Sequence, residues 1–408
     1  VSIECHAPSD LSAGEETLSE ARLAHSSKPY RTIKCRWSGL DQATIQKLWG
    51  RLLYIGDHYV EVPLYPDYTY ANSGCTTLLL TGSFSNRRFH NGGKVVVYYA
   101  DGTQQATIVV SASSSQLILS SSDELDVAPS AGDIIVPVCD CWPNLSDSMK
   151  LRTDRVGDLT LVFDEIPGPS ALPFSAQTAP SSFDTYDGLP VVDLDYNWVV
   201  EPDLGFARSG FKATVGKSEH SFLQGPSPQI TLRAARQVYS KEEAWTWLNF
   251  FDSRRGRVIP YWAVLPHDIW HLEGLASTSI QVSASGKWQH THNYLKYIAV
   301  YDQYGFVEIA RVSQVIDTGG GVWTIDLLDT LSAHGEIVNV RWCIECRQSS
   351  DSYSDEWSTD QAVAFGVEIT EILNEREVSI DYIEEGVTVY APMLHMRVSL
   401  PQPTTTPA

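Results

Sequence analysis

Ser240-Lys-Glu-Glu-Ala-Trp-Thr-Trp-Leu-Asn-Phe-Phe251, with Ile259-Pro-Tyr-Trp262 and Pro266-His-Asp268 beyond it, restates an earlier passage of the same chain. There, Ser38-Gly-Leu-Asp41 leads into Ile45, Leu48, Trp49 and Leu52, and then into Val62-Pro-Leu-Tyr-Pro-Asp67. Each passage continues through strand-like sequence to a cysteine pair. The first runs through Gly132-Asp-Ile-Ile-Val136 to Cys139-Asp-Cys141; the second runs through Gly335-Glu-Ile-Val-Asn-Val340 to Cys343-Ile-Glu-Cys346. Both then pass a Thr-Asp step (Thr153-Asp154, Thr359-Asp360) into a closing strand that ends in Glu165-Ile166 or Glu371-Ile372. Solenoids repeat one supersecondary unit every 20–50 residues or so, whereas this period is roughly 200 residues, so the sequence predicts two tandem copies of a whole domain.

The predicted fold is mainly β (α+β), each copy carrying one short capped helix. The first repeat is expected over residues 1–166, a Pro/Ser-rich linker over 167–188, the second repeat over 189–373, and a C-terminal extension over 374–408. In the first repeat, Ser38 reads as a helix N-cap with Asp41 at N3, and the helix is expected to run to about Leu53. Short β-runs follow at 76–80, 94–99, 106–110, 116–119, 134–138 and 159–163. Asp101-Gly102, between two of them, is a hairpin signal. The second helix is expected to start at Ser240. Strands follow it at 278–282, 297–301, 307–312, 322–328, 337–343 and 363–369, and Gly319-Gly-Gly321 reads as a turn. Residues 1–30 read as an arm or a leading strand. Leu189-Pro-Val-Val-Asp-Leu-Asp-Tyr-Asn-Trp198 opens the second repeat as an alternating strand, Val387-Thr-Val-Tyr390 reads as one more, and the Pro/Thr tail to Ala408 is expected to be disordered.

Bulk composition narrows the function. Twelve Trp and nineteen Tyr against three Met favour β-structure and contact surfaces. A net charge of −21 argues against gripping a nucleic-acid backbone or an anionic membrane, because phosphate contacts need Lys and Arg. An acidic surface also repels DNA that must slide past it. No apolar run is long enough for a membrane span, and no secretory signal is read at the start of the sequence. Seven cysteines in 408 residues suggest free thiols in a reducing compartment.

Few side-chain constellations point to chemistry. Cys139, Cys141, Cys343 and Cys346 are four thiols that could hold zinc or an iron–sulfur cluster, or else alternate in a strand end as small hydrophobes. His267, His271, His290 and His292 cluster beside Asp268; His290-x-His292 on a strand would point both rings to one face as a metal pair, without a third ligand at a telling spacing, or else these are surface or hydrogen-bonded loop histidines. Fifty acidic residues make any carboxylate pair uninformative for glycoside cleavage. There is no G-x-S-x-G, no P-loop, and no G-x-G-x-x-G opening a helix after a strand. No catalytic residue and no cofactor is therefore predicted. Arg254-Arg255-Gly256-Arg257 is a dense basic patch in an acidic chain, and with Tyr261 and Trp262 it reads either as an intersubunit interface or as a solvated helix end.

The run Trp247-Leu-Asn-Phe-Phe-Asp-Ser-Arg-Arg-Gly-Arg-Val-Ile-Pro-Tyr-Trp262 resembles a segment of the distal-tail and tail-tip (baseplate) structural proteins of long-tailed bacteriophages and gene-transfer agents. Leu189-Pro-Val-Val-Asp-Leu-Asp-Tyr-Asn-Trp198, Gly210 and the Leu232-Arg233 strand also look like the opening of such domains. The likeness covers residues 189–265 best. The first repeat has Gly56-Asp-His-Tyr59 in place of the arginine run. The resemblance implies a virion component without enzymatic activity, made in the bacterial host cytoplasm, that contacts the tail tube and the hub or fibres. Some such proteins hold an iron–sulfur cluster on four cysteines, and the four thiols above are the positions onto which it would carry. Two similar domains per subunit suit a homo-oligomeric ring, either a trimer with pseudo-sixfold symmetry or a hexamer. The alternative is a carbohydrate- or receptor-binding β-module, with Trp198, Trp262, Trp270, Trp288 and Trp323 as stacking platforms.

Overall fold

A computed structural model describes residues 2–6, 9–13, 20–24, 30–55, 58–144, 148–152, 156–166, 182–193, 203–207, 210–215, 218–223, 229–265, 270–283, 296–331, 337–359 and 361–372. The chain is mainly β, with two helices of 14 residues each. Among the described residues, 24 strands belong to one connected hydrogen-bonded network and two hairpins stand apart from it. The predicted strand at 387–390, the C-terminal tail, most of the linker, and His267, His290, His292, Trp198 and Trp288 lie outside the described residues.

The first set of strands opens with β1 (Ser2–His6), the hairpin β2 (Ser9–Ala13) and β3 (Glu20–Ala24), and the long β4 (Tyr30–Asp41). Helix α1 (Gln42–Ile55) follows directly. Its cap corrects the sequence reading. Ser38 sits inside β4, and the Asp41 carboxylate accepts the Thr44 amide at 2.7 Å. Gly39, at φ +75°, turns the strand end so that Asp41 reaches the N-cap position. β5 (Val60–Pro63) leads to a single 3₁₀ turn at Tyr65–Asp67. There follow β6 (Thr69–Tyr70), β7 (Leu79–Thr81), β8 (Lys94–Tyr98), β9 (Gln104–Ala112), β10 (Gln116–Leu119), β11 (Ile134–Pro143), β12 (Ser148–Leu151) and β13 (Val156–Glu165). Asp101-Gly102 makes the predicted turn between β8 and β9, where Asp101 accepts the Thr103 amide.

The hairpin of β14 (Thr185–Tyr186) and β15 (Leu189–Asp193) comes next, its first strand inside the expected linker. The second set then follows in the same order. β16 (Asp203–Ala207), the hairpin β17 (Gly210–Val215) and β18 (Ser218–Leu223), and β19 (Gln229–Val238) precede α2 (Lys241–Arg254). Ser240 caps α2 by accepting the Glu243 amide, as the sequence predicts. The set continues with β20 (Tyr261–Val264), β21 (Trp270–Ala276), β22 (Ser279–Ser283), β23 (Tyr297–Asp302), β24 (Gly305–Gly319), β25 (Val322–Leu327), β26 (Ile337–Gln348), β27 (Ser352–Trp357) and β28 (Val363–Glu371). Gly319–Gly321 turn the chain between β24 and β25, all three at positive φ.

The ladders of the two sets correspond register for register. Five residues before each helix cap, Arg36 faces Thr160 and Ala235 faces Gly366. Thr160 in turn faces Ser148, and Gly366 faces Ser354. Seven residues before the caps, Lys34 faces Ser2 and Arg233 faces Asp203. Cys141 faces Val60 and Glu165; Cys346 faces Tyr261 and Glu371. Val138 faces Pro63 and Lys94; Cys343 faces Val264 and Tyr297. Register is fixed by which side chains must be buried, so agreement over this many ladders means the two sets bury the same faces. One difference stands out. β15 adds to β20 in parallel, and β5 has no such neighbour among the described residues.

Each set holds its own apolar centres. Ile33, Leu64, Cys141, Leu159 and Leu161 make one in the first set, and Leu80, Val97, Val109, Leu117 and Ile135 make another. In the second set α2 supplies Trp247, Leu248, Phe250 and Phe251 to a large centre with Tyr261, Trp342, Phe365 and Ile369. A smaller one gathers Val191, Trp262, Val264, Ala299 and Cys343. Tyr353 packs against a centre of each set, and Val1–Arg376 form one unit.

Candidate functional site: the joint between the two ladder sets

The strongest concentration of buried polar chemistry lies where the two sets meet. β1 is hydrogen-bonded on one edge to β4 of its own set and on the other to β27 of the second set. In that second ladder Ser2 faces Glu356, Ile3 faces Asp355 and Glu4 faces Ser354. The main-chain bonds of β1 and β27 thus carry one sheet across the boundary.

Beside this ladder sits a four-charge network. Asp67 ends the 3₁₀ turn that Pro66 helps to set, and its amide returns to the Leu64 carbonyl at 2.9 Å. Its carboxylate is fully buried. It accepts Arg88 Nη1 at 2.8 Å and Lys241 Nζ at 2.9 Å. Lys241, the first residue of α2, also donates to the Pro66 carbonyl. Arg88 Nη2 reaches across to Asp355 on β27 at 3.0 Å, and Trp357 Nε1 donates to the same carboxylate at 3.0 Å. Both cations are roofed by indoles from the second set. The Lys241 ammonium lies 4.3 Å from the Trp357 ring centre and the Arg88 guanidinium 5.6 Å from that of Trp245.

The charges within this group of two cations and two carboxylates cancel. Removing them from water is expensive, and such a cluster is tolerated only when every member is well partnered. Burial by itself would push the Asp67 carboxyl up. The Arg88 and Lys241 charges and their hydrogen bonds outweigh burial and hold it below the usual carboxylate range. A buried contact and a partly buried one flank the network. Arg31 Nη1 pairs with Glu165 at 3.0 Å, and the Tyr353 hydroxyl donates to Asp252 on α2 at 2.5 Å. Burial pushes the Asp252 carboxyl up. Chemically, the arrangement is a lock: it fixes how the first set's 3₁₀ turn, the start of α2 and β27 meet.

The residues proposed from the sequence occupy other places. Arg254 is buried at the end of α2; its guanidinium donates to the Pro260 carbonyl at 3.1 Å and lies over Phe250. Burial lowers its pKa to about 10. Arg255 is the helix C-cap in the left-handed region. Arg257 forms a bidentate pair with Asp351, both bonds at 3.0 Å. Tyr261 and Trp262 are buried, Trp262 donating to the Tyr186 carbonyl at 3.2 Å. The basic run thus builds the turn between α2 and β20 within its own chain. Gly256 is the tightest point of that turn. Its φ is +61°, and an added Cβ would stand 2.8 Å from the Asp351 Cα. Gly256→Ala is expected to destabilise the fold by about 1–3 kcal/mol, from backbone strain and displacement of the Arg257 partner. Urea denaturation measures it.

The four candidate thiols are spread over three apolar centres. Cys139 and Cys141 share one, Cys346 lies in a second and Cys343 in a third. Only Cys141 and Cys346 occupy corresponding ladder positions. Burial is the main cause that raises all four thiols above the ordinary cysteine value. Among the described residues no three His, Cys, Asp or Glu side chains converge as a metal site. His271 lies in β21, facing Ser283 and Asn339. Trp262 and Trp323 are core residues, and Trp270 opens β21. No helix among the described residues is long and apolar enough to cross a membrane.

Sequence reasoning missed Asp67, Arg88, Lys241 and Asp355. The one local signal was Arg87-Arg88, a second basic pair in an acidic chain. No protein-family model matches the chain, and no curated protein matches it.

Proposed function

We propose that this protein is a structural component of a bacteriophage tail tip or baseplate. It forms a ring that joins the tail tube to the hub or fibres around a lumen through which DNA passes. It is made in the cytoplasm of the bacterial host, is built into the virion and has no catalytic role. On this reading the two ladder sets are a tandem duplication.

One observation carries the proposal: the joint is head-to-tail. The second set offers β27 and the first set offers β1, which are different edges of corresponding folds. A two-fold joint would bring like edges together, whereas a head-to-tail joint propagates and closes into a ring when its rotation permits. Three chains supply six ladder sets, which suits a trimer with pseudo-sixfold symmetry; a hexamer with twelve sets is the variant. The net charge of −21 keeps a lumen electronegative, so that DNA or a tape-measure protein passes without sticking. Exposed Tyr59, Tyr239 and Tyr304 are available to the neighbouring tail proteins.

Native mass spectrometry with electron-microscopic class averages tests this. The expected particle has three times the 45.3 kDa chain mass and six similar lobes around a hole. A monomer that persists at high concentration overturns the proposal.

A further inference from the structure

Among the described residues, the joint inside the chain leaves a matching pair of edges unpaired. Within each set the edge strands stand in the same relation to the closing strand and the long pre-helical strand. β12 lies on β13 as β27 lies on β28, and β16 lies on β19 as β1 lies on β4. β27 and β1 pair with each other. Among the described residues β12 pairs with β13 alone and β16 with β19 alone.

We propose that β12 of one copy of this chain pairs antiparallel with β16 of the next copy, repeating between molecules the ladder that β27 and β1 make within one. This deepens, and rests on, the ring reading above. The register follows from the intramolecular ladder. Ser2 faces Glu356, Ile3 faces Asp355 and Glu4 faces Ser354. The corresponding positions place Asp203 opposite Lys150, Leu204 opposite Met149 and Gly205 opposite Ser148. The sequence at these edges suits the pairing. Lys150 is exposed, and the position opposite it is acidic. Opposite charges face to face on adjacent strands are favourable, and like charges are not. The neighbouring register position pairs two apolar residue types, Met149 and Leu204. A bare strand edge is a template for another strand, and a second copy is the partner whose complementary edge the fold already specifies.

Cross-linking tests the register. Residues directly opposite on antiparallel strands have Cα atoms about 4.5–5.5 Å apart, within reach of a disulfide. Met149→Cys and Leu204→Cys are made in separately tagged full-length chains, which are mixed and oxidised. The expected product is a covalent dimer carrying both tags, absent when either variant is oxidised alone and weaker when Phe206→Cys replaces Leu204→Cys. In parallel, Lys150→Glu and Asp203→Lys are each expected to raise the assembly midpoint concentration roughly tenfold, and together to restore it. Circular dichroism checks that each variant folds, and the charge reversals decide the question where a cysteine variant does not fold. Rings that form without the mixed dimer, and without sensitivity to either reversal, overturn this joint and leave the ring reading standing. Failure of the unmodified chain to assemble at all overturns both.

Discussion

Arg88→Ala is expected to lower the free energy of unfolding by about 3–5 kcal/mol, because it strips a buried partner from two carboxylates at once. Asp67 keeps Lys241 and Asp355 keeps the Trp357 indole, but each loses its guanidinium. Net stabilities are typically about 5–15 kcal/mol, so the loss is a large share of the total. The whole cluster is not worth that much. Paired charges must first be desolvated, so replacing partners together costs less than orphaning one. Arg88→Met combined with Asp355→Leu leaves the Asp67–Lys241 pair intact and is expected to recover part of the loss. Acid supplies a second readout. The folded Asp67 carboxyl sits below its unfolded value, so its contribution is present above about pH 4 and disappears as pH falls through the depressed folded value. Asp67→Asn should flatten that part of the acid-unfolding curve. Urea melts of the wild type and the three variants from neutral pH down to pH 3 or so measure all of this; an Arg88→Ala midpoint equal to wild type contradicts it.

Phe250→Ala is expected to cost about 3–5 kcal/mol, by removing transfer free energy and leaving a cavity that its neighbours fill only in part. Phe250 is fully buried. Its ring meets Phe183 at 4.8 Å, Tyr261 at 5.1 Å, Phe251 at 5.5 Å and Trp247 at 5.8 Å. The Arg254 guanidinium also rests on that ring, so the variant loosens the turn into β20. Leu48 in α1 is only half-buried, and Leu48→Ala should cost clearly less. A urea midpoint shift with unchanged slope identifies a stability loss in each case, and equal shifts for the two helices contradict the argument.

Periodicity and turn chemistry made most strands legible. Gln116–Leu119 lies where its short β-run predicts, and Gly319–Gly321 turn the chain where the sequence breaks. The N-cap of α1 was misassigned because Ser38 and Asp41 are both capping residue types three positions apart, and only the backbone at Gly39 decides between them. The basic run 254–257 was visible as sequence, but the burial of Arg254 was not. Local composition cannot tell a solvated arginine from one stacked on Phe250. The joint was illegible for a different reason. Arg88 and Asp355 are separated by 267 residues and Lys241 and Asp67 by 174, and no local pattern announces such partners. The β1–β27 ladder has the same character, since hydrogen bonding along an edge uses main-chain atoms common to every residue type.

That ladder also sets a clock on biosynthesis. β1 cannot fill its second edge until Ser352–Trp357 have left the ribosome. At elongation speeds of about 5–20 residues per second, the wait is roughly 20–70 s. For that interval the nascent chain keeps an open seam, which finished copies are free to occupy unless a chaperone or the polysome spacing holds them away.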